Sequence, residues 1–168
     1  MRDEAEFLAF FESHHSGLGR FAYLLTGDPD DADDLVADAF AQVWRNWDRV
    51  RKADQPLAYV RRILVNLEAS RVRGIVRDRR RLHSIGVMSR ESGDGPDVAA
   101  VVDVRAALQR LPLRKRACLV LRYVLELSEQ ETAAVLGISV GTVKSQTSRG
   151  AAELQRLLGS PQHAGWEA

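Results

Sequence analysis

Apolar residues recur along most of this chain at three- and four-residue spacing, and no strand-like alternation of any length appears, so the whole chain reads as α-helical. Phe7, Leu8, Phe10 and Phe11, followed by Leu18, Phe21, Ala22, Leu24 and Leu25, predict an amphipathic helix or helix pair ending near Gly27. The stretch GDPDDADD then supplies a helix start, with proline suited to the first turn and carboxylates at the positive end of the dipole. From there Ala32, Leu35, Val36, Ala39, Phe40, Val43, Trp44 and Trp47 keep i, i+3, i+4, i+7 spacing without a gap. The opposite face carries Asp34, Asp38, Gln42, Arg45 and Asn46. Asp48 to Pro56 reads as a polar loop. After it, LAYVRRILVNLEASRVR predicts a long helix with Leu57, Val60, Ile63, Leu64 and Leu67 inward.

The periodicity fails over residues 82–97, LHSIGVMSRESGDGPD, whose glycines, serines and proline predict a linker. Beyond it a helix is expected over Val98 to Arg110 and another over LRKRACLVLRYVLE, after Pro112. Ser128 and Glu131 have capping-box spacing and open a helix through Leu136. Gly137 fits the left-handed stop, and Ser139 can cap a last helix running to about Leu158. Two helices joined by so short a turn are a helix-turn-helix, with small Ala133 where the helices cross closely. The organisation expected is two small all-α domains, 1–81 and 98–159, with a linker at 82–97 and a tail at 160–168.

Composition narrows the class. With 168 residues, 45% hydrophobic and 28% charged, the chain suits a folded protein. Cys118 is the sole cysteine, excluding an internal disulfide, and its apolar neighbours predict a buried core thiol. The acidic N-terminus lacks signal-peptide character and no apolar run reaches membrane-spanning length, so a cytoplasmic protein is expected. The net charge of +1 conceals opposed blocks. Asp28, Asp30, Asp31, Asp33, Asp34 and Asp38 are set against Arg71, Arg73, Arg77, Arg79, Arg80 and Arg81, which suggests two partners of opposite sign. Two solvated helix faces would also produce such blocks.

The last helix carries the most specific chemistry. Val143, Ala151, Leu154 and Leu158 take its inner face, leaving Thr142, Lys144, Ser145, Gln146, Ser148 and Arg149 outward around its first half. Hydroxyls and cations at a helix N-terminus suit base edges and phosphates in a DNA major groove. On the helix after Pro56, the cations, Tyr59 and Asn66 could hold single-stranded DNA by charge and stacking. A basic amphipathic helix with an exposed asparagine fits those residues equally well. His14, His15, His83 and His163 have no ligand spacing, and no nucleophile elbow or phosphate-cradling loop is present, so neither a metal, a cofactor nor catalysis is expected.

Three segments together resemble the extracytoplasmic-function (ECF) sigma factors of bacterial RNA polymerase, closest to the actinobacterial SigE-like branch. FAYLLTGDPDDADDLVADAFAQVWRNW is similar to the family's core-binding helix pair, and PLAYVRRILVNLEASRVR to its promoter-melting helix. LQRLPLRKRACLVLRYVLELSEQETAAVLGISVGTVKSQTSRGAAEL is similar to its C-terminal domain. The resemblance implies a non-enzymatic initiation factor whose partners are core RNA polymerase, through the β′ clamp coiled coil and the β flap, and promoter DNA. It implies core-polymerase contacts at Asp34, Leu35, Asp38, Gln42, Trp44 and Arg45. It implies −10 contacts at Arg49, Arg51, Lys52, Tyr59, Arg62 and Asn66, the last capturing a flipped base. It implies −35 contacts at Thr142, Lys144, Ser145, Ser148 and Arg149, with Arg122 on phosphates, and a linker threading toward the RNA exit channel. Tyr59 stands where many members have tryptophan, and Thr147, Ser148 and Gly150 are smaller or more polar than usual. Gly150 inside a helix is expected to cost about 1 kcal/mol relative to Ala. Many members are held inactive by an anti-sigma partner, and the sequence leaves open whether one acts here. Two other classes remain to be weighed: a regulator binding duplex DNA unaided, and a helical enzyme acting on nucleic acid, for which no acid, base or metal cluster is visible.

Overall fold

A computed structural model describes residues 2–84 and 104–159, and within them every regular element is helical. The N-terminal half holds α1 (Arg2–Thr26), α2 (Pro29–Arg45), the single turn α3 (Trp47–Val50) and α4 (Pro56–Ser84). The C-terminal half holds α5 (Val104–Arg110), α6 (Leu113–Leu119) with a π-helical turn at Val120–Val124, α7 (Glu129–Leu136) and α8 (Val140–Leu158).

The N-terminal bundle follows from its apolar stripes. α1 is one continuous helix rather than a pair, and ends at Gly27, whose φ of 77° is left-handed. Asp28 caps α2 by accepting from the Asp31 amide, with Pro29 in the first turn, so the start signal performs as read. Ala32, Leu35, Val36, Ala39, Phe40 and Val43 of α2 are buried against Phe21, Leu25, Val60 and Leu64. Burying a Leu, Val or Phe side chain contributes about 1.5–3 kcal/mol, so this stripe dominates the bundle's stability. Phe7 sits 4.8 Å from Trp44 and 5.4 Å from Trp47 between ring centroids, closing the open end of the bundle.

Several expectations need correction. α2 stops at Asn46, so Trp47 is not its last apolar position but the start of α3. The loop expected from Asp48 to Pro56 begins only after Val50, because buried Trp47 and Val50 anchor that turn as helix. α4 extends to Ser84, so Leu82 to Ser84 of the expected linker are helical, while residues 85–97 lie outside the described residues. Of the helix expected over Val98 to Arg110, the described part begins at Val104. The helix after Pro112 does not run regularly to Glu126. It widens into the π turn, where the Leu125 amide donates to Val120 O at 3.0 Å and the Leu127 amide to Leu121 O at 3.0 Å. Glu126 follows with φ 54°, an uncommon conformation for a residue with a Cβ.

The two halves pack against each other: α1 touches α5, α6 and the π turn, and α4 lies along α7. Between them sit polar residues whose burial periodicity alone did not mark. Glu68 is 1% exposed and accepts from Arg71 at 2.7 and 3.0 Å, and Arg71 also reaches Asp31 at 2.7 Å, tying α4 to α2. A buried carboxylate is tolerated because a bidentate guanidinium compensates it.

Candidate nucleic-acid interface

The helix-turn-helix is built as its caps dictate. The Ser128 hydroxyl accepts from the Glu131 amide at 3.1 Å, and the Glu131 carboxylate accepts from the Ser128 amide at 2.7 Å. That capping bond, more than the nearby Arg61 charge, holds the Glu131 carboxyl below its ordinary range. Gly137 turns the chain at φ 64°, and Ser139 caps α8 by accepting from the Thr142 amide at 3.1 Å. Val143 is fully buried, and Gly150 is buried too. An added Cβ on Gly150 would stand 3.3 Å from Leu119 and from the Lys115 Cβ, so α6 and α8 approach closely there. The Lys115–Glu153 ion pair at 2.6 Å flanks that crossing. Cys118 is fully buried, its thiol pushed up to about 11 by desolvation, as expected of a core residue.

On the outer face of α8, Lys144, Ser148 and Arg149 are exposed. Lys144 lies 3.6 Å from Glu129 at the rim, a weak surface pair that a phosphate can displace. Thr142 and Ser145 are half-buried and already bonded: the Thr142 hydroxyl lies 2.9 Å from that of Ser139, and the Ser145 hydroxyl donates to Thr142 O at 3.0 Å. These two shape the helix N-terminus as well as facing outward. Arg122 is half-buried and donates to the Leu127 carbonyl, so the π turn fixes its position.

The six residues expected on −10 DNA divide. Arg49, Lys52, Arg62 and Asn66 are exposed, and Tyr59 is half-buried. Arg51 is spoken for: its guanidinium meets Asp48 at 2.6 Å, Asp3 at 2.8 Å and Glu6 at 3.2 Å, clamping α1 to the turn after α3. Arg62 lies against the helix-turn-helix, where a Cβ on Gly137 would come 2.6 Å from its Nη2. Arg61 is half-buried beside Glu131, and desolvation lowers its pKa against the pull of that carboxylate.

On α2, Asp34, Asp38, Trp44 and Arg45 are exposed and Gln42 is half-buried, forming one outer stripe. Leu35 does not belong with them. It is 5% exposed and lies in the core, because its position shares the inner face with Ala32 and Ala39. Sequence reasoning also passed over Arg116, which is 8% exposed and donates to the carbonyls of Leu108 and Leu111 at 3.0 Å. Its spacing from Leu113 and Val120 put it on the apolar face, the one signal available.

A helix-turn-helix with a basic tip, joined to a helical bundle bearing an acidic stripe and a second basic helix, defines a DNA-binding factor that also meets a protein partner. Comparison with known proteins makes the class specific. Residues 10–81 match sigma-70 region 2 and residues 102–154 match sigma-70 region 4. The RNA polymerase sigma-E factor of Streptomyces coelicolor is 32% identical over 165 residues, 94% of this chain and 89% of that protein. ECF RNA polymerase sigma factor SigM of Mycobacterium tuberculosis is 32% identical over 160 residues, 94% of this chain and 79% of that protein. The sigma factor RpoE of Bartonella quintana, solved with the anti-sigma factor NepR, is similar with a TM-score of 0.73 at 28% identity, covering 93% of this chain and 98% of that one. CnrH, solved with the cytosolic domain of CnrY, is similar with a TM-score of 0.66 at 25% identity, covering 94% and 90%. This chain belongs to the ECF RNA polymerase sigma factors of the sigma-70 family. It is a non-enzymatic factor that works with core RNA polymerase and promoter DNA to direct transcription initiation. No helix among the described residues is long and apolar enough to cross a membrane.

Proposed function

We propose that the chain divides its labour between a domain two at 1–81, which binds core polymerase and melts the −10 element, and a domain four at 98–159, which reads the −35 element. The chain that follows α4 connects them toward the RNA exit channel, and 160–168 follow domain four as a tail. Lys144, Ser148 and Arg149 contact the −35 element from the exposed tip of α8, with Thr142 and Ser145 setting the helix N-terminus and Arg122 steadied by its carbonyl bond. On the other domain Asn66, Arg62, Tyr59, Arg49 and Lys52 face single-stranded −10 DNA. The observation that carries the −35 assignment is the capped, left-handed-turn geometry of α7 and α8 presenting a basic tip. The stripe of Asp34, Asp38, Gln42, Trp44 and Arg45 docks on the β′ clamp coiled coil, giving the acidic block its partner. The β flap docks on an apolar groove of about 340 Å³ lined by Leu108, Leu119, Val120, Val124, Leu154 and Leu158, with Tyr123 65% exposed at its edge. The factor acts in the cytoplasm, where polymerase is. An anti-sigma factor, as in the complex of RpoE with NepR, is a further partner.

The test is affinity for purified core polymerase, followed by run-off transcription on sheared host DNA. Tight binding with discrete new transcripts is expected, and their aligned starts yield both promoter elements. A folded protein that fails to bind core would overturn this reading.

A further inference from the structure

The basic block of α4 has no role in the contacts described so far. Arg71 is bound inside the domain to Glu68 and Asp31, and Arg73 donates to the Ser70 hydroxyl at 2.9 Å. Beyond them the helix leaves the bundle, and every residue from Ile75 to His83 is exposed. Among the described residues Arg77, Arg79 and Arg80 have no ion-pair or hydrogen-bond partner, and Asp78 is the only acid in this stretch of α4.

Local physics opposes such a segment. Arg73, Arg77 and Arg81 repel one another at four-residue spacing, and a short helix without packing is marginal in water. The helix dipole favours cations in the last turn, which accounts for Arg81 but not for Arg73 or Arg77 well before it. The arrangement of the cations is ordered, however. At about 3.6 residues per turn and about 1.5 Å per residue, Arg62, Asn66, Arg73, Arg77 and Arg80 fall on one side of α4, in a row about 27 Å long. Arg79 falls on the opposite side with Val72, Ile75 and Leu82. The row starts at the side chains assigned to the −10 strand, and the chain leaves α4 for the half that reads the −35 element. Duplex DNA, with one negative charge per about 1.7 Å of its axis, is the polyanion whose charges can run beside such a row.

We propose that Arg73, Arg77 and Arg80 form a phosphate-binding arm that grips the duplex between the two promoter elements, whatever its sequence. It anchors double-stranded DNA beside the strand that Asn66 takes. Its place on the promoter rests on the proposed function; its binding to duplex phosphates does not.

The test is the salt dependence of binding of the free full chain to a short DNA duplex of arbitrary sequence, read by fluorescence anisotropy. Arg77→Gln combined with Arg80→Gln removes two cations from the row, and Arg79→Gln removes one from the opposite side. Glutamine is a good helix former, so helical content should stay that of the wild type. In the double variant the slope of log affinity against log salt should become shallower by about 1.8, since each phosphate contact contributes about 0.9, and affinity at low salt should fall several-fold. Arg79→Gln should keep the wild-type slope. In the polymerase holoenzyme the double variant should lose promoter affinity equally for every spacer sequence, with affinity for core unchanged.

An unchanged slope in the double variant would overturn the proposal. So would an equal change per charge in Arg79→Gln, which would reflect net charge and not a face. Weakened binding to core polymerase, or to single-stranded RNA with none lost on duplex DNA, would assign the arm to another partner and overturn it as well. If the duplex slopes behave as expected but no holoenzyme forms, the proposed function fails and the arm stands. Unchanged slopes with an active holoenzyme remove the arm alone.

Discussion

Gly150 shows how a residue's local preference and its packing can disagree. Inside the nineteen-residue helix α8, glycine is unfavourable by about 1 kcal/mol relative to Ala, so Gly150→Ala would stabilise an isolated helix. In the folded protein the new methyl would lie 3.3 Å from Leu119 and Lys115, and α6 or α8 must shift to admit it. The two effects are of similar size, and we expect no net gain in the urea midpoint of Gly150→Ala; a rise worth the full helix preference would show the crossing to be loose. Glu131 gives the second case at this scale. Its folded pKa lies below the ordinary 4.5 because the Ser128 amide bonds the carboxylate. The stabilisation is therefore fully present above pH 4.5 and is lost as pH falls through the folded value. Glu153, lowered chiefly by its bond to Lys115, acts in the same direction. Between neutral pH and about pH 3.5, the wild type should lose more stability than Glu131→Gln, which cannot titrate but still offers an acceptor. Parallel losses in chemical denaturation at both pH values would assign no linkage to this cap. The caps at Ser128, Gly137 and Ser139 were legible because each depends on a few consecutive residues; the contacts of Gly150 were not, because Leu119 is thirty-one positions away.

At the scale of elements, amphipathic spacing located α2, α4 and α8, whose buried sets follow the helical period. The π turn was not visible. One extra residue in the turn changes no composition, and what holds it is a set of bonds ending at Leu125, Leu127 and the Arg122 guanidinium. The exposed tip of α8 carries the prediction proper to this scale. Arg149→Ala should weaken promoter binding by the polymerase holoenzyme by about 1–3 kcal/mol if the guanidinium reads a base edge, with relaxed preference at one −35 position. A loss uniform across sequences, with a shallower salt dependence, would assign it to phosphate instead. Arg51 marks the limit of such reading. Its cationic loop fitted a DNA contact, yet Asp3, Glu6 and Asp48 converge on it, two of them from the first turns of α1, 45 or more positions earlier.

For the whole molecule, the acidic block of α2 is split by the fold. Asp28 caps the helix and Asp31 pairs with Arg71, whereas Asp34 and Asp38 remain on the outer stripe beside exposed Trp44. The double change Asp34→Lys with Asp38→Lys should weaken core-polymerase binding at least tenfold, since opposed charges become like charges at a steered interface, while thermal unfolding of the free protein stays near that of the wild type. Equal core affinity would make the stripe ordinary solvated surface. By itself the sequence determined the helical class, the helix-turn-helix with its caps, and the two basic and one acidic faces, because these follow from local periodicity and short-range hydrogen bonding. Only the tertiary structure decided which charges and polar groups are spent inside the molecule: Arg71 on Asp31, Arg51 on Asp3 and Glu6, and Arg116 and Gln109 on the end of α1. It also decided that the two halves rest on one another. Those outcomes depend on residues brought together from distant parts of the chain, where burial makes an unpaired polar group costly and selects its partner by geometry rather than by spacing.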